Sequence, residues 1–192
     1  MVIHFVPNLR IILAPNPALR KKSTPIALGE IKNLRSTAKQ MAKLMYESQG
    51  CGLAAPQVGI DKRLIVIDVT PLDDDGEVKE KNPVFFINPE IKRLWGEKEA
   101  SEEGCLSIPG IQVLIERYNN IEVGALDLYG EAFTVEAEGF YARALQHELD
   151  HLEGVTMFEH LDPIERIDVF REYEEALKAG AVPGDTSVKS PT

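Results

Sequence analysis

The sequence predicts an α+β fold: short, mostly antiparallel sheets packed around a central metal-binding HExxH helix, with an N-terminal amphipathic helix and a C-terminal helix. Three observations support this. One segment of helical periodicity precedes a run of β-branched, strand-like segments. Two further helical segments follow that run, so strands and helices are segregated and do not alternate as in a parallel α/β sheet. The 192 residues suit one hydrophobic core, and neither an internal repeat nor a composition break divides them.

The elements follow in order. Residues 9–25 are punctuated by Pro15, Pro17 and Pro25 and read as extended or turn structure over the domain surface. In 29–49, Ile31, Leu34, Ala38, Met41, Ala42 and Met45 recur at helical spacing, and Gly50 is placed to end the helix. Residues 50–59 form a Gly-rich loop. Residues 63–69, with Leu64-Ile65-Val66-Ile67, read as a buried strand. A polar, acidic loop at 71–82 precedes two short strands, 84–88 and 90–95. Residues 112–118, 121–128 and 132–138 have strand character, the last two joined by a turn at Tyr129-Gly130. A second helix spans 139–153, with Gly154 as its stop. A third spans 163–179, with Pro163 in its first turn. Residues 1–180 therefore read as a single domain and 181–192 as a flexible tail.

Composition narrows the function classes. Hydrophobic residues make up 44% and charged residues 27%, a globular mixture that excludes a fibre or a disordered chain. The formal net charge is -10, and no Lys/Arg stripe of the kind that tracks phosphates is present, which argues against direct nucleic-acid reading. No apolar run reaches the length of a membrane span. Two cysteines, Cys51 and Cys105, make no disulfide framework and fit a reducing compartment. Without a secretory signal at residues 1–8, the expected location is the cytoplasm, or an organelle after removal of a transit peptide.

The most informative segment is Gln146-His147-Glu148-Leu149-Asp150-His151. Histidines four apart emerge from one helix face and can hold one divalent ion, with Glu148 beside them. Such an ion lowers the pKa of its water towards about 7, and a carboxylate there can accept the proton and pass it to a leaving amine. The plainer reading is two histidines on a solvated face. A catalytic site of this type also needs a third protein ligand. The next histidine, His160, does not match the metzincin spacing. A downstream acid of the thermolysin type has Glu172 as a formal candidate, which would make the chain a zinc endopeptidase. Upstream, Glu103-Gly104-Cys105-Leu106-Ser107 offers a thiolate, a strong ligand for zinc or ferrous iron, although an isolated cysteine is more often a small buried apolar residue. The loop Gly50-Cys51-Gly52-Leu53-Ala54-Ala55-Pro56-Gln57 removes bulk, so another chain's backbone can approach, and the Gln57 amide can donate to a developing oxyanion. The alternative is a tight helix-to-strand connection.

Taken together and in order, Gly50-x-Gly52-Leu-Ala-Ala-Pro-Gln57, Glu103-Gly-Cys105-Leu-Ser107 and Gln146-His147-Glu148-x-Asp-His151-Leu resemble the three signature motifs of the peptide deformylase family. Residues 12–20 and 87–91 are also similar to that family, and the stretch after about residue 179 lies outside the resemblance. The resemblance implies one catalytic domain over 1–180 that removes the N-formyl group from N-formylmethionyl peptides and nascent proteins, releasing formate. It implies a metal held by Cys105, His147 and His151, with Glu148 as general acid/base. The oxyanion donors would be the Gln57 side chain and the Leu106 backbone N–H. Glu103 and Arg117 would support the ligands, the alternative being an ordinary surface pair. The substrate would add as an extended strand near Gly50, Cys51, Gly52 and Gly104, with Phe140, Ala144 and Leu106 around the methionine. Fe²⁺ is the implied native ion, with Zn²⁺ or Ni²⁺ able to occupy purified protein. Some members of the family dock to the ribosome through a basic C-terminal helix. Here Glu165, Asp168, Glu172, Glu174 and Glu175 make that helix acidic, at odds with the same docking mode. The rival readings are the zinc endopeptidase, a non-enzymatic domain with a closed structural metal site, and an inactive relative.

Overall fold

The computed structural model describes residues 9–69 and 81–185. The expected acidic loop at 71–82 and the end of the expected tail fall largely outside these residues. Among the described residues are three α-helices, α1 (Leu28–Glu47), α2 (Gly139–Glu153) and α3 (Pro163–Lys178), and five strands, β1 (Gly52–Ala54), β2 (Leu64–Ile67), β3 (Val84–Cys105), β4 (Ile108–Leu126) and β5 (Ala132–Glu138), together with short 3-10 turns. The strands form one antiparallel sheet in the order β1-β2-β3-β4-β5.

The continuous apolar run of β2 is explained by burial on both faces. Side chains alternate across a strand. Leu64 and Val66 pack with Ile31, Leu34, Ala38, Met41 and Met45 of α1, while Ile65 and Ile67 pack with Ala142, Leu145, Leu149 and Leu152 of α2. The β1–β2 end of the sheet is thus sandwiched between two helices. A third cluster joins Ile108, Ile111, Val113 and Ile115 of β4 to Met157, Phe158 and, on α3, Tyr173 and Ala176. The Tyr173 hydroxyl donates to Ala14 O at 2.9 Å, so its buried polar end is satisfied.

The helices begin and end for local reasons. The six apolar residues read at helical spacing in α1 are the six that are buried there. Glu30 Oε2 accepts from Ala27 N–H and caps its start. The Asp162 carboxylate accepts from Ile164 and Glu165 N–H at the start of α3, with Pro163 at its first position. Gly154 ends α2 in the left-handed conformation.

The strands correct the expectation of several short sheets. The segments expected at 84–88 and 90–95 are one strand of 22 residues that continues through the unassigned residues 96–105. Those expected at 112–118 and 121–128 belong to one strand of 19 residues. The ladder stays intact past Pro89 and Gly96 because register shifts take up the irregular residues, between Ile87 and Glu90, Trp95 and Lys98, and Glu103 and Cys105. Inside the expected 50–59 loop lie the three-residue β1 and a 3-10 turn at Ala55–Val58. The Tyr129-Gly130 turn is a longer connection held by Asp127, whose Oδ1 accepts from Tyr129 and Glu131 N–H at 2.7 and 2.9 Å.

Candidate active site

Three segments meet at one cleft: the connection from α1 through β1, the β3–β4 hairpin tip and α2. Cys105 ends β3 and pairs with Ile108 across a two-residue turn, Leu106-Ser107. This places the thiol at the tip of a long hairpin. Gln146 fixes α2 beside that hairpin, because its amide accepts from Tyr118 N–H at 3.2 Å and donates to Tyr118 O at 2.8 Å. With α2 so oriented, His147, Glu148 and His151 face the hairpin tip.

One ligand atom each from Cys105, His147 and His151 lies within 4.8 Å of the others. Cys105 Sγ and His151 Nε2 are 3.3 Å apart. Glu172, the alternative third ligand, sits at an exposed position on α3 and is outside this cluster. The site's electrostatics favour a thiolate: burial acts to raise the Cys105 thiol, but the His151 and His147 imidazoles outweigh it and hold it down at about 5. Burial opposes protonation of His147 but is outweighed by its hydrogen bonds to Cys105 and Glu103, which lift it well above the usual histidine range. Glu148 is raised as well, for a different reason. Burial pushes its carboxyl up to about 7, against the lowering pull of both imidazoles. Its Oε2 is buried and without a partner among the described residues. Two ring nitrogens and a thiolate on one point, with an unpartnered carboxyl oxygen alongside, fit a divalent ion with an open coordination position.

Glu103 organises the ligands from behind. It is 5% exposed and Arg117 is 6% exposed, which rules out an ordinary surface pair. Its carboxylate accepts from Arg117 Nε and Nη2 at 2.9 and 3.0 Å, and it meets His147 Nδ1 at 2.9 Å. Burial acts to raise its pKa, but the hydrogen bonds of His147 and Arg117 keep it ionised far below the usual carboxylate range. Fixing Nδ1 turns the other nitrogen of His147 towards the cluster. Two members of this network were not singled out by sequence. Arg143 Nη1 donates to Glu103 Oε1 at 2.8 Å, and Arg117 Nη1 donates to Asp150 Oδ2 at 2.5 Å. Arg143 stands one turn before His147, so helical spacing was the available signal.

The Gln57 amide is 1% exposed and held at both ends. Its Oε1 accepts from Ala54 N–H at 2.8 Å, and Nε2 points to Ser107 Oγ at 3.3 Å and Cys105 Sγ at 3.6 Å. Gly50 and Gly52 are glycines because their neighbours are close. A Cβ on Gly52 would collide with Glu148 Oε1 and lie 2.8 Å from its Cδ, and one on Gly50 would lie 2.7 Å from Leu106 Cδ1. The cleft holds about 240 Å³ and brings Gly50, Cys51, Gly52, Gly104, Leu106, Phe140 and Ala144 to one surface, together with Gln57, Glu103, Cys105, His147 and Glu148. Cys51 is not in the ligand cluster; burial and the Glu148 charge push its thiol up to about 11. Gln49, Glu102, Gln112, Gly184 and Asp185 also line the cleft and carried no sequence signal.

A model of the family described as polypeptide deformylase matches residues 8–167. The chain is 42% identical over 168 residues to the peptide deformylase of Rhizobium meliloti (strain 1021), covering 88% of this chain and 93% of that protein. Among solved structures, it is similar to a peptide deformylase from Synechococcus elongatus in complex with actinonin, with TM-score 0.77, 37% identity, and 88% and 87% of the two chains covered. It is also similar to the Met-Ala-Ser bound class I type b peptide deformylase from Acinetobacter baumannii, with TM-score 0.73, 35% identity, and 80% and 98% covered. The matched span takes in the hairpin tip, the helix and the glycine-lined wall that form the cleft, and on sequence and fold alike the chain belongs to the polypeptide deformylase family.

Proposed function

We propose that this cleft hydrolyses the N-formyl amide of N-formylmethionyl peptides and nascent proteins, releasing formate and a free N-terminus. The observation that carries the reading is the convergence of Cys105, His147 and His151 beside a buried carboxyl at Glu148. The Acinetobacter relative was solved with Met-Ala-Ser bound, a peptide of the deformylated kind. The endopeptidase reading is not favoured, since its extra acid, Glu172, is outside the cluster.

A divalent ion held by Cys105, His147 and His151 would act as a Lewis acid and make water a nucleophile at neutral pH. Fe²⁺ suits the thiolate-containing set as the native ion, with Zn²⁺ or Ni²⁺ able to replace it in purified protein. The remaining roles belong to the chain. Glu148, buried beside the ligands with Oε2 unpartnered among the described residues, accepts the proton of the attacking water and returns it to the departing amine. Gln57 Nε2, held by its other end to Ala54 N–H, donates to the formyl oxygen as charge develops there, and the Leu106 N–H is the second donor. Glu103, braced by Arg117 and Arg143, keeps His147 in one tautomer and orientation. The substrate lies extended along Gly50, Cys51, Gly52 and Gly104, and its methionine side chain enters the surface formed by Leu106, Phe140 and Ala144. Among the described residues no helix is long and apolar enough to cross a membrane. A cytoplasmic enzyme meeting chains at the ribosome fits this substrate, but the acidic α3 calls for a docking mode other than a basic helix.

The test is formate release from formyl-Met-Ala-Ser, with metal content measured on the same sample. Turnover that tracks one bound metal ion per chain is the expected result. Cleavage of internal peptide bonds with no release of formate would replace this reading with the endopeptidase.

A further inference from the structure

The strand edge beside the cleft has little support of its own. β1 is three residues long and lies at the end of the sheet. Gly50 precedes it and Gly52 opens it, and neither has a side chain to seat it. The ladder pairs β1 with β2 from Gly52–Ile67 to Ala54–Ile65. One bond lies beyond that ladder: Asp68 N–H donates to Cys51 O at 2.8 Å. It makes Gly52–Ile67 a pair of the non-hydrogen-bonded kind, so the N–H and C=O of Gly52 turn away from β2. Further along the strand, Ala54 N–H turns the same way and donates to Gln57 Oε1 at 2.8 Å. The outer edge of β1 therefore presents backbone groups to the cleft that Gly52 lines.

The residue that holds Cys51 O is itself anchored through its side chain. Asp68 is buried. Its Oδ2 accepts from the Tyr46 hydroxyl and from Asn82 N–H, the latter at 2.7 Å. Tyr46 lies in the last turn of α1, and its neighbour Met45 accepts from Gly50 N–H at 2.9 Å. Asn82 leads into β3, and Lys81 Nζ stands over the Tyr46 ring, 4.6 Å from its centre. Burial, together with the Asp68 carboxylate, pushes the Tyr46 phenol above its usual range and keeps it a donor. One carboxylate thus ties the end of α1 and the chain entering β3 to the start of β1. Neither Asp68 nor Tyr46 belongs to the ligand cluster.

We propose that Asp68, held by Tyr46 and Asn82, is a positioning residue for the substrate: it fixes Cys51 and Gly52, and so sets how tightly an extended peptide adds to the edge of β1. The proposal rests on the deformylase reading and extends it to residues behind the strand that the peptide meets. A backbone hydrogen bond moved out of line weakens binding by about three- to tenfold. Strand pairing is the same in the bound peptide and in its transition state, so the loss falls on KM and not on kcat.

The experiment measures kcat and KM for formate release from formyl-Met-Ala-Ser, with metal content on the same samples. Wild type is compared with Tyr46→Phe, Asp68→Ala and the double variant. Tyr46→Phe removes only the hydroxyl, so it supplies the comparison should Asp68→Ala fail to fold. KM should rise about threefold in Tyr46→Phe and about tenfold in Asp68→Ala, with kcat within about twofold of wild type and metal content unchanged. The two changes act through one link, so adding Tyr46→Phe to Asp68→Ala should raise KM no further. A KM that stays at the wild-type value, a fall in kcat or metal content in its place, or effects of the two changes that simply multiply, overturns the proposal and leaves the deformylase reading intact. Failure of the wild type to release formate overturns both.

Discussion

Replacing Gly52 with alanine tests whether the placement of Glu148 sets the rate. The three heavy atoms nearest to a Cβ at Gly52 all belong to Glu148: Oε1, in collision, then Cδ at 2.8 Å and Cγ at 2.9 Å. Ordinary contact begins near 3.4 Å, so the carboxyl carbon must retreat by at least about 0.6 Å, the difference between 3.4 and 2.8 Å, and Oε1 by more. Glu148 is 5% exposed and packed on a helix, so it cannot swing freely into solvent. Misplacing a catalytic group by about 1 Å commonly costs on the order of 100-fold in rate, and a loss of about 10- to 100-fold in kcat corresponds to about 1.4–2.7 kcal/mol of barrier. Overpacking adds about 1–3 kcal/mol of instability, a fall in Tm of some 2–4 °C per kcal/mol in a chain of this size. None of the displaced atoms belongs to Cys105, His147 or His151, so metal content should not change. The assay is initial-rate formate release with saturating formyl-Met-Ala-Ser, alongside metal analysis and thermal melting. Gly29→Ala is the control, because a Cβ there meets nothing within 4 Å. A Gly52→Ala protein with wild-type kcat, or one that loses its metal while Gly29→Ala keeps it, would refute the reasoning.

Further outcomes follow from the same geometry. Glu148→Ala should retain the metal and lose about 10²- to 10⁴-fold in kcat; near-normal turnover would assign the proton transfer elsewhere. Glu103→Gln removes the charge that Arg117 and Arg143 share and the partner of His147 Nδ1, so metal affinity measured by competition with a chelator should drop about 10- to 100-fold; an unchanged affinity would show that the bracing is unnecessary. Cys105→Ser should leave the fold intact by circular dichroism while the purified protein carries much less than one ion per chain, and full metal loading would remove Cys105 from the ligand set. Tyr173→Phe deletes the buried hydrogen bond to Ala14 O and should cost about 1 kcal/mol in chemical denaturation without altering kcat; a change in kcat instead would link the α3 packing to the site.

Much of this architecture was legible because it rests on short-range periodicity. The apolar face of α1 is readable residue by residue, and the histidine spacing fixes which face of α2 meets the hairpin. The long strands were not legible, because Pro89, Gly96 and Gly110 look like breaks to a local pattern, while the ladder with the partner strand carries the chain past them. The two-residue hairpin at Leu106-Ser107 was hidden for a related reason: it lacks the Gly or Asn residues that mark such turns. Arg143 and Asp150 were missed as partners because their roles depend on Glu103 and Arg117, which are distant in sequence. The wall at Gly184 and Asp185 was the hardest to foresee. A Pro/Gly/Ser-containing stretch after a terminal helix reads as loose chain, and only the hydrogen bond from Gly110 shows where it lies.

Placing sulfur on a hairpin tip and both imidazoles on a helix has a consequence for how the protein ages. The ion would bridge two layers that have no covalent tie, so its grip reports how well Leu145 and Leu149 stay seated against Phe86 and Ile121. Wear in that apolar seam, by a truncated side chain or by heat, would widen the gap between thiol and rings and shed the ion before any strand or helix melts. Catalytic competence would then fail earlier than the fold itself, and the fraction of chains still carrying metal would be the more sensitive gauge of their integrity.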